Sequence, residues 1–243
     1  MGAPRFFVDA PLSQAIVGNE VALPDDVAHH ALRVLRLAPG DEITLFDGTG
    51  GEYHGTIERA GKRDAWARIH RFDAVERESA LTTTLAQAIV AADTMDTIVR
   101  HAVELGVAAI QPVVSERSAR FPSGAHGDKR LAHWRQVARS GCEQCGRNRV
   151  PAVRDPVALA EWLLQPRAGV VFDAGAQASL ASLPAPTTVD VLVGPEGGLT
   201  DREIAHAVRA GLRVAHVGPR TLRADTAALS ALAAVNLLWG DFR

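Results

Sequence analysis

Val189-Asp-Val-Leu-Val-Gly-Pro-Glu-Gly-Gly-Leu-Thr-Asp-Arg-Glu203 reads as a strand, a glycine turn and the start of a helix. The apolar, β-branched run Val189–Val193 suits a buried strand. Gly194, Gly197 and Gly198 then let backbone approach a ligand without interference from Cβ. Thr200 with Glu203 three residues on is the signature of a capping box, so a helix should run over Asp201–Ala210. The same grammar returns in Val214-Ala-His-Val-Gly-Pro-Arg-Thr-Leu-Arg-Ala-Asp-Thr-Ala-Ala-Leu229. There a strand over Val214–Val217 ends at Gly218 and a loop with Arg220 and Arg223 leads into an apolar helix over Thr226–Trp239. Asp225 or Thr226 is the candidate N-cap.

Outward from these two units the pattern continues upstream to Leu81. Strands are expected at Leu81–Ala91, Val107–Val114 and Val170–Asp173. Helices are expected from an Asp93 N-cap to about Leu105, closed by Gly106, and over Lys129–Cys145 and Val157–Leu164. Alternating strands and helices imply an α/β domain with a parallel sheet covered by helices. The first seventy-odd residues follow another rhythm. A short helix is expected within Asp25–Leu37, broken at Pro39-Gly40. Short strands at Glu42–Phe46, Glu52–Arg59 and Ala65–Phe72 then suggest a small β-barrel. Polar residues cluster at Glu76–Ser79, which divides the chain into domains 1–74 and 79–243.

The chain has 243 residues, 47% hydrophobic and 22% charged, ordinary globular usage with enough length for a sizeable core. Its net charge of −2 excludes a uniformly basic nucleic-acid binder. The distribution is uneven. Val113–Arg154 holds nine Lys/Arg against three acids, a net of +6, with Arg outnumbering Lys eight to one. Guanidinium forks suit phosphate contacts and base stacking, so this window is a candidate polyanion surface, although such runs are also ordinary solvated faces. Cys142-x-x-Cys145 has the spacing of half a zinc site or a redox pair, but no second pair or compact His set accompanies it. Two small buried thiols are the better reading. No apolar run approaches a membrane span and nothing resembles a signal peptide, so a soluble, cytoplasmic protein is expected.

The loop at 194–198 is neither Gly-x-Gly-x-x-Gly nor a P-loop, and a carboxylate at Glu196 would repel a phosphate. A zwitterionic or cationic ligand suits it better. Ligands of open α/β sheets sit at strand C-termini, where two glycine loops could line one pocket.

Taken together, Leu192-Val-Gly-Pro-Glu-Gly-Gly-Leu199, Val217-Gly-Pro-Arg-Thr-Leu-Arg-Ala-Asp-Thr-Ala227, Glu104-Leu-Gly-Val107 and Cys142-Glu-Gln-Cys-Gly-Arg-Asn-Arg-Val-Pro151 resemble the RsmE-type 16S ribosomal RNA (uracil-N3)-methyltransferases. His29-His-Ala-Leu-Arg-Val-Leu-Arg36 with Pro39-Gly-Asp41 is similar to the N-terminal domain of that family. The resemblance covers nearly the whole chain in order. It implies a SPOUT-type parallel sheet with a C-terminal trefoil knot, a small N-terminal PUA-like β-barrel that binds RNA, a homodimer, and S-adenosyl-L-methionine as cofactor. The implied substrate is 16S rRNA or the small ribosomal subunit. Carried over by motif, the cofactor pocket comprises Leu192, Gly194, Glu196, Gly197 and Gly198 on one wall. Val217, Gly218, Leu222, Arg223, Thr226 and Ala227 form the other. Three departures stand out: Ala224 and Asp225 replace a commoner Thr-Glu, and His101 replaces a common Lys.

Methyl transfer to uracil N3 requires loss of a weakly acidic proton and stabilisation of the resulting anion. Arg223 is the candidate for that stabilisation, Asp225 for orienting it or accepting the proton, and Glu104 is a weaker candidate base. Arg33, Arg36, Arg117, Arg120, Arg147 and Arg149 are the candidate RNA contacts, largely through phosphates. No metal is required. The residues leave open a SPOUT methyltransferase with another RNA target, an RNA-binding module that has lost catalysis, and a redox protein using Cys142 and Cys145.

Overall fold

The computed structural model describes residues 2–13, 16–62 and 64–242. The chain folds as two compact units. The first comprises Met1–Glu78 with Cys142–Val150, and the second comprises Ser79–Gly141 with Pro151–Arg243. A boundary drawn once at 74–79 therefore misses a segment: residues 142–150 fold with the N-terminal unit.

In the first unit the strands are β1 (Arg5–Phe7), β2 (Glu20–Ala22), β3 (Glu42–Phe46), β4 (Glu52–Ala60) and β5 (Ala65–Asp73). They form one five-stranded sheet in the order β1-β3-β4-β5-β2, antiparallel except for β1 against β3. Among the described residues no pairing joins β1 to β2, so hydrogen bonds do not close the expected barrel into a ring. The predicted helix is shorter than its pattern: α1 (Asp25–His29) passes into a single π-helical turn over His30–Val34. Arg36, at φ 59°, then turns the chain out of it. Phe6, Val27, Ile43, Ile57 and Ile69 anchor an apolar core beneath the sheet.

A polar network ties residues 142–150 to this unit. Glu52 is buried and its Oε2 accepts from Arg5 Nη1 at 2.5 Å, Arg77 Nη1 at 3.1 Å and Asn148 Nδ2 at 3.1 Å. Burial alone would raise its carboxyl, but hydrogen bonds from Arg77, Arg5 and Asn148 outweigh that and hold it at about 2. Arg147 is buried beside Glu78, donating from Nε to Oε1 at 2.8 Å and from Nη2 to Oε2. It is therefore withdrawn from the candidate RNA surface, because its charge is spent inside the unit. Arg149 is exposed but paired with Glu76 at 2.6 Å. Cys142 lies buried below, its Sγ donating to the Arg149 carbonyl oxygen, and burial pushes the thiol up to about 12. A thiol that stays protonated at neutral pH is neither nucleophile nor ready metal ligand. Burial of Cys142 weighs against the redox reading at that residue.

The second unit is a seven-stranded, wholly parallel sheet. Its elements are β6 (Thr82–Ala88), α2 (Ala92–Glu104), β7 (Ala109–Val114), α3 (Ala125–Cys145, whose last residues join the first unit), β8 (Ala152–Val153), β9 (Val157–Ala158) and α4 (Leu159–Trp162). Then follow β10 (Gly169–Phe172), β11 (Thr188–Val193), α5 (Asp201–Arg209), β12 (Leu212–Ala215) and α6 (Ala224–Trp239). The order is β12-β10-β11-β6-β7, with β8 and β9 both pairing β7. The parallel α/β sheet read from the sequence is the one found. Ala86, Ala88, Val113, Val171 and Leu192 meet α4 and α5 in one core, while α2 packs against α6.

Several boundaries differ from the sequence reading: α3 begins at Ala125, β6 ends at Ala88 and β12 spans Leu212–Ala215, and three further differences bear on the site or the sheet edge. Val157 and Ala158 are not helical, because they satisfy the outer edge of β7 at Val113 and Val114. Ala91, not Asp93, holds the N-cap position of α2. Helix α6 starts at Ala224 with Arg223 at its N-cap, and Asp225 sits inside the first turn, accepting the Thr226 N–H at 2.7 Å. The capping box at Thr200 and Glu203 is present with both reciprocal bonds.

Glu52 gives a signed pH prediction. Its folded pKa lies below its ordinary value of 4.5, so its stabilisation is complete above about 4.5 and is lost as pH falls through about 2. Glu52→Gln should cost roughly 3–5 kcal/mol at pH 7, with the gap to wild type closing toward pH 2 in denaturant titrations. Arg147→Glu should lower the melting temperature by about 10 °C or more, since it sets a buried carboxylate against that of Glu78. Arg149→Glu, at an exposed pair, should cost at most about 1 kcal/mol. Equal losses in calorimetry would contradict the burial of Arg147.

Candidate active site at the strand ends

Parallel strands bring their C-terminal ends to one edge of the sheet, and a cavity of about 290 Å³ opens there. Three ends build it: Phe172–Ala174 after β10, Val193–Leu199 after β11, and His216–Leu222 after β12, with Ala224 and Ala227 of α6 closing the side. The two glycine loops do not abut as neighbours in the sheet; β10 lies between their strands. Its own end, Phe172-Asp-Ala174, is thus a third wall that the sequence reading missed. The sequence signal for it was present in Asp173-Ala-Gly175, a strand end with a glycine, but only the strand order places it in the pocket.

The loops are braced locally. A Cβ on Gly194 would stand 3.0 Å from the Leu199 backbone nitrogen, so the turn closes this tightly only with glycine. Gly198 has φ +69° and donates to the Pro195 carbonyl oxygen at 2.8 Å. Glu203, besides capping α5, accepts the Glu116 N–H at 2.8 Å. Arg117 donates to the Gly197 carbonyl oxygen at 2.8 Å, which anchors the loop after β7 to the turn after β11. Glu196 reaches the Ala91 N–H at 3.4 Å, placing a carboxylate at the positive end of α2. After β10, Asp173 accepts the Gly175 N–H at 2.7 Å. After β12, His216 Nδ1 accepts the Gly218 N–H at 3.1 Å.

Of the residues expected in the pocket, Gly194, Glu196, Gly197, Gly198, Val217, Gly218, Leu222 and Ala227 line it. Leu192 does not. Its side chain is fully buried in the core with α4 and α5, because alternate residues of a strand point to opposite faces. Arg223 and Thr226 are exposed and lie off the wall, with Thr226 Oγ1 bound to Asp225. Arg220, one helical turn's worth of chain earlier, is the arginine on the wall, together with Thr221 and Leu199. Glu104 is placed at the other edge of the sheet. Helix α2 runs from the pocket edge for 13 residues, about 20 Å, before reaching it, and its carboxylate pairs with His101 there. Within one subunit it is no base for this pocket. Arg33, Arg36, Arg117 and Arg120 are exposed, although Arg33 also donates to the Lys62 carbonyl oxygen.

The wall chemistry suits a compact ligand of mixed charge. Backbone groups of two glycine turns supply donors and acceptors, apolar contact comes from Val193, Leu199 and Leu222, and the ionisable groups are Asp173, Glu196, His216 and Arg220. An adenosine bearing an amino-acid tail fits this set: ring edges can meet backbone, and an ammonium can meet a carboxylate.

An RNA methyltransferase domain matches residues 77–236, and an RNA methyltransferase PUA domain matches residues 23–69. Ribosomal RNA small subunit methyltransferase E of Mycobacterium tuberculosis is 32% identical, over 98% of this chain and 93% of its own length. The Synechocystis protein of the same name is 31% identical, over 93% and 75%. Among solved structures, ribosomal RNA small subunit methyltransferase E of Neisseria gonorrhoeae, bound to S-adenosyl methionine, is 40% identical with a TM-score of 0.91, covering all of both chains. Lpg2936 of Legionella pneumophila, in complex with the bound cofactor SAM, is 31% identical with a TM-score of 0.94, again over all of both chains. With its motifs in order on a matching fold, this chain belongs to the ribosomal RNA small subunit methyltransferase E family of RNA methyltransferases.

Proposed function

We propose that this chain transfers the methyl group of S-adenosylmethionine to N3 of a specific uridine in the 16S RNA of the small ribosomal subunit. The observation that carries this reading is the cavity at the ends of β10, β11 and β12, walled by the two motif loops. Relatives with the same fold over their full length hold S-adenosylmethionine. Gly194, Glu196, Gly197, Gly198, Val217, Gly218, Leu222 and Ala227 would hold the cofactor, with Asp173 and Glu196 available to its ammonium. When bound, the cofactor supplies an electrophilic methyl on a positively charged sulfur.

The protein's own part is to bring uracil N3 in line with that methyl and to stabilise the base as its proton leaves. The N3 lone pair then forms the new N–C bond, the C–S bond breaks, and its electron pair stays on sulfur. Arg223 lies in sequence between wall residues Leu222 and Ala224, exposed and permanently charged, which suits an anion arriving from outside. Asp225 is two residues on, with Oδ1 engaged by Thr226 and Oδ2 left to orient that guanidinium or take the proton. The exposed Arg33, Arg36, Arg117 and Arg120, together with Arg149, would meet RNA phosphates.

The domain roles follow the same reading: RNA binding for the N-terminal unit, transfer for the second. A SPOUT-type trefoil knot is favoured by the path of the chain. It leaves β11, passes β10 and returns as β12, and Ser179 in the loop after β10 pairs with His216. A homodimer is favoured by the apolar C-terminal region, where Leu237 near the end of α6 and Phe242 just beyond it are exposed. No described helix is long and apolar enough to cross a membrane, and a ribosomal substrate would place the protein in the cytoplasm.

Purified protein with S-adenosylmethionine should add one methyl to N3 of a single uridine in undermodified small subunits. Mass spectrometry of nuclease fragments reads this, and methyl on a ribose or another base would overturn the assignment. Arg223→Ala should lower the transfer rate by roughly 10²–10³-fold while cofactor affinity changes by about threefold or less. Equal losses in both would remove Arg223 from catalysis.

A further inference from the structure

We propose that His216 is a positioning residue that holds the β12 wall of the cavity through an unprotonated Nδ1, so that cofactor binding requires its imidazole to be neutral. The proposal deepens the S-adenosylmethionine reading of this site and rests on it.

The backbone at His216 is fixed from both sides. Its N–H donates to the Ala178 carbonyl oxygen at 2.9 Å, and its carbonyl accepts the Leu180 N–H at 3.0 Å. From that fixed point the side chain turns forward and Nδ1 accepts the Gly218 N–H at 3.1 Å. Gly218 is itself a wall residue, and glycine has no side chain of its own to hold the loop. Val217 is exposed, and Pro219 carries no N–H. The ring is thus the tether between the strand end and the turn that faces the ligand.

A backbone N–H can donate to an imidazole nitrogen only where that nitrogen carries a lone pair. The bond therefore fixes the neutral tautomer with its proton on Nε2. Protonation makes Nδ1 a donor, two donors then face each other, and the wall loses its tether. The charged groups sharing the cavity are Asp173 from the β10 end, Glu196 from the β11 end and Arg220 from the same loop. The residues of α6 on the wall, Ala224 and Ala227, are uncharged, as are Ala178, Ser179 and Leu180 beside the His216 backbone.

Isothermal titration with S-adenosylmethionine between pH 8 and pH 5.5 tests this. Wild-type affinity should fall by about tenfold per pH unit once the imidazole titrates. His216→Asn supplies an Oδ1 that can accept the same N–H but does not titrate. It should bind within about threefold of wild type at pH 8 and show a flattened pH profile. His216→Ala should bind about tenfold more weakly at pH 8, also with a flat profile. A steep wild-type slope retained by His216→Asn, or full affinity in His216→Ala at pH 8, overturns the proposal. Nitrogen-15 spectra of the ligand-free protein give a second readout: Nδ1 should resonate as the unprotonated nitrogen, and the Gly218 amide should shift in step with the ring. If those signals are found but the wild type binds no S-adenosylmethionine at any pH, the cofactor reading fails and the positioning role stands. A protonated Nδ1 in the neutral ring refutes the role whatever binds.

Discussion

All seven strands of the second sheet point the same way, and most of what this protein can do follows from that constraint. A parallel strand cannot be followed directly by its neighbour; the chain must cross back to the starting edge, here mostly through helices. Strand ends, loops and helix N-termini therefore collect on one edge, and helix C-termini on the other. The pocket occupies the first edge. The second is stitched shut: Asn236, buried near the end of α6, donates to the Leu105 carbonyl oxygen at the end of α2 at 2.6 Å. Two helices that begin beside the cavity thus end on a common anchor, so their N-termini are held without any contact to a ligand.

The pocket is correspondingly prepared before anything enters it. Its turns are tied to α2 through Glu196, to the loop after β7 through Arg117 and Glu203, and to the strand ends through His216 and Asp173. Each tie restrains a loop whose ordering would otherwise be subtracted from binding free energy. Glutamates do much of this work at backbone N–H groups. A carboxylate in a glycine turn then reads as a brace that also tunes the pocket against anions.

Local chemistry was legible in the sequence, and long-range partnership was not. The alternation of strands and helices from residue 81 onward, the capping box at Thr200 and the glycine turns are encoded within a dozen residues, and the structure contains them. Strand order is not local, so the wall supplied by Phe172 and Asp173 went unread. Motif membership also overstates contact. Leu192 belongs to the motif, yet strand alternation turns it into the core, and of the two arginines in the second loop the wall takes Arg220. Counting charge failed at Arg147 for a related reason. Its partner Glu78 stands 69 residues earlier in the chain, and a basic window reveals nothing about acids folded against it.

The segment 142–150 has a consequence for synthesis. Chains emerge from the ribosome N-terminus first, at roughly 5–20 residues per second. Glu52 precedes its donor Asn148 by 96 residues, so the nascent N-terminal sheet waits about 5–20 seconds for one of the hydrogen-bond donors to its buried carboxylate. During that interval much of the second unit's first half is also being made. The N-terminal unit therefore cannot be finished until residue 150 has been made, and a gene truncated at its apparent boundary would encode a sheet whose buried carboxylate lacks its Asn148 donor.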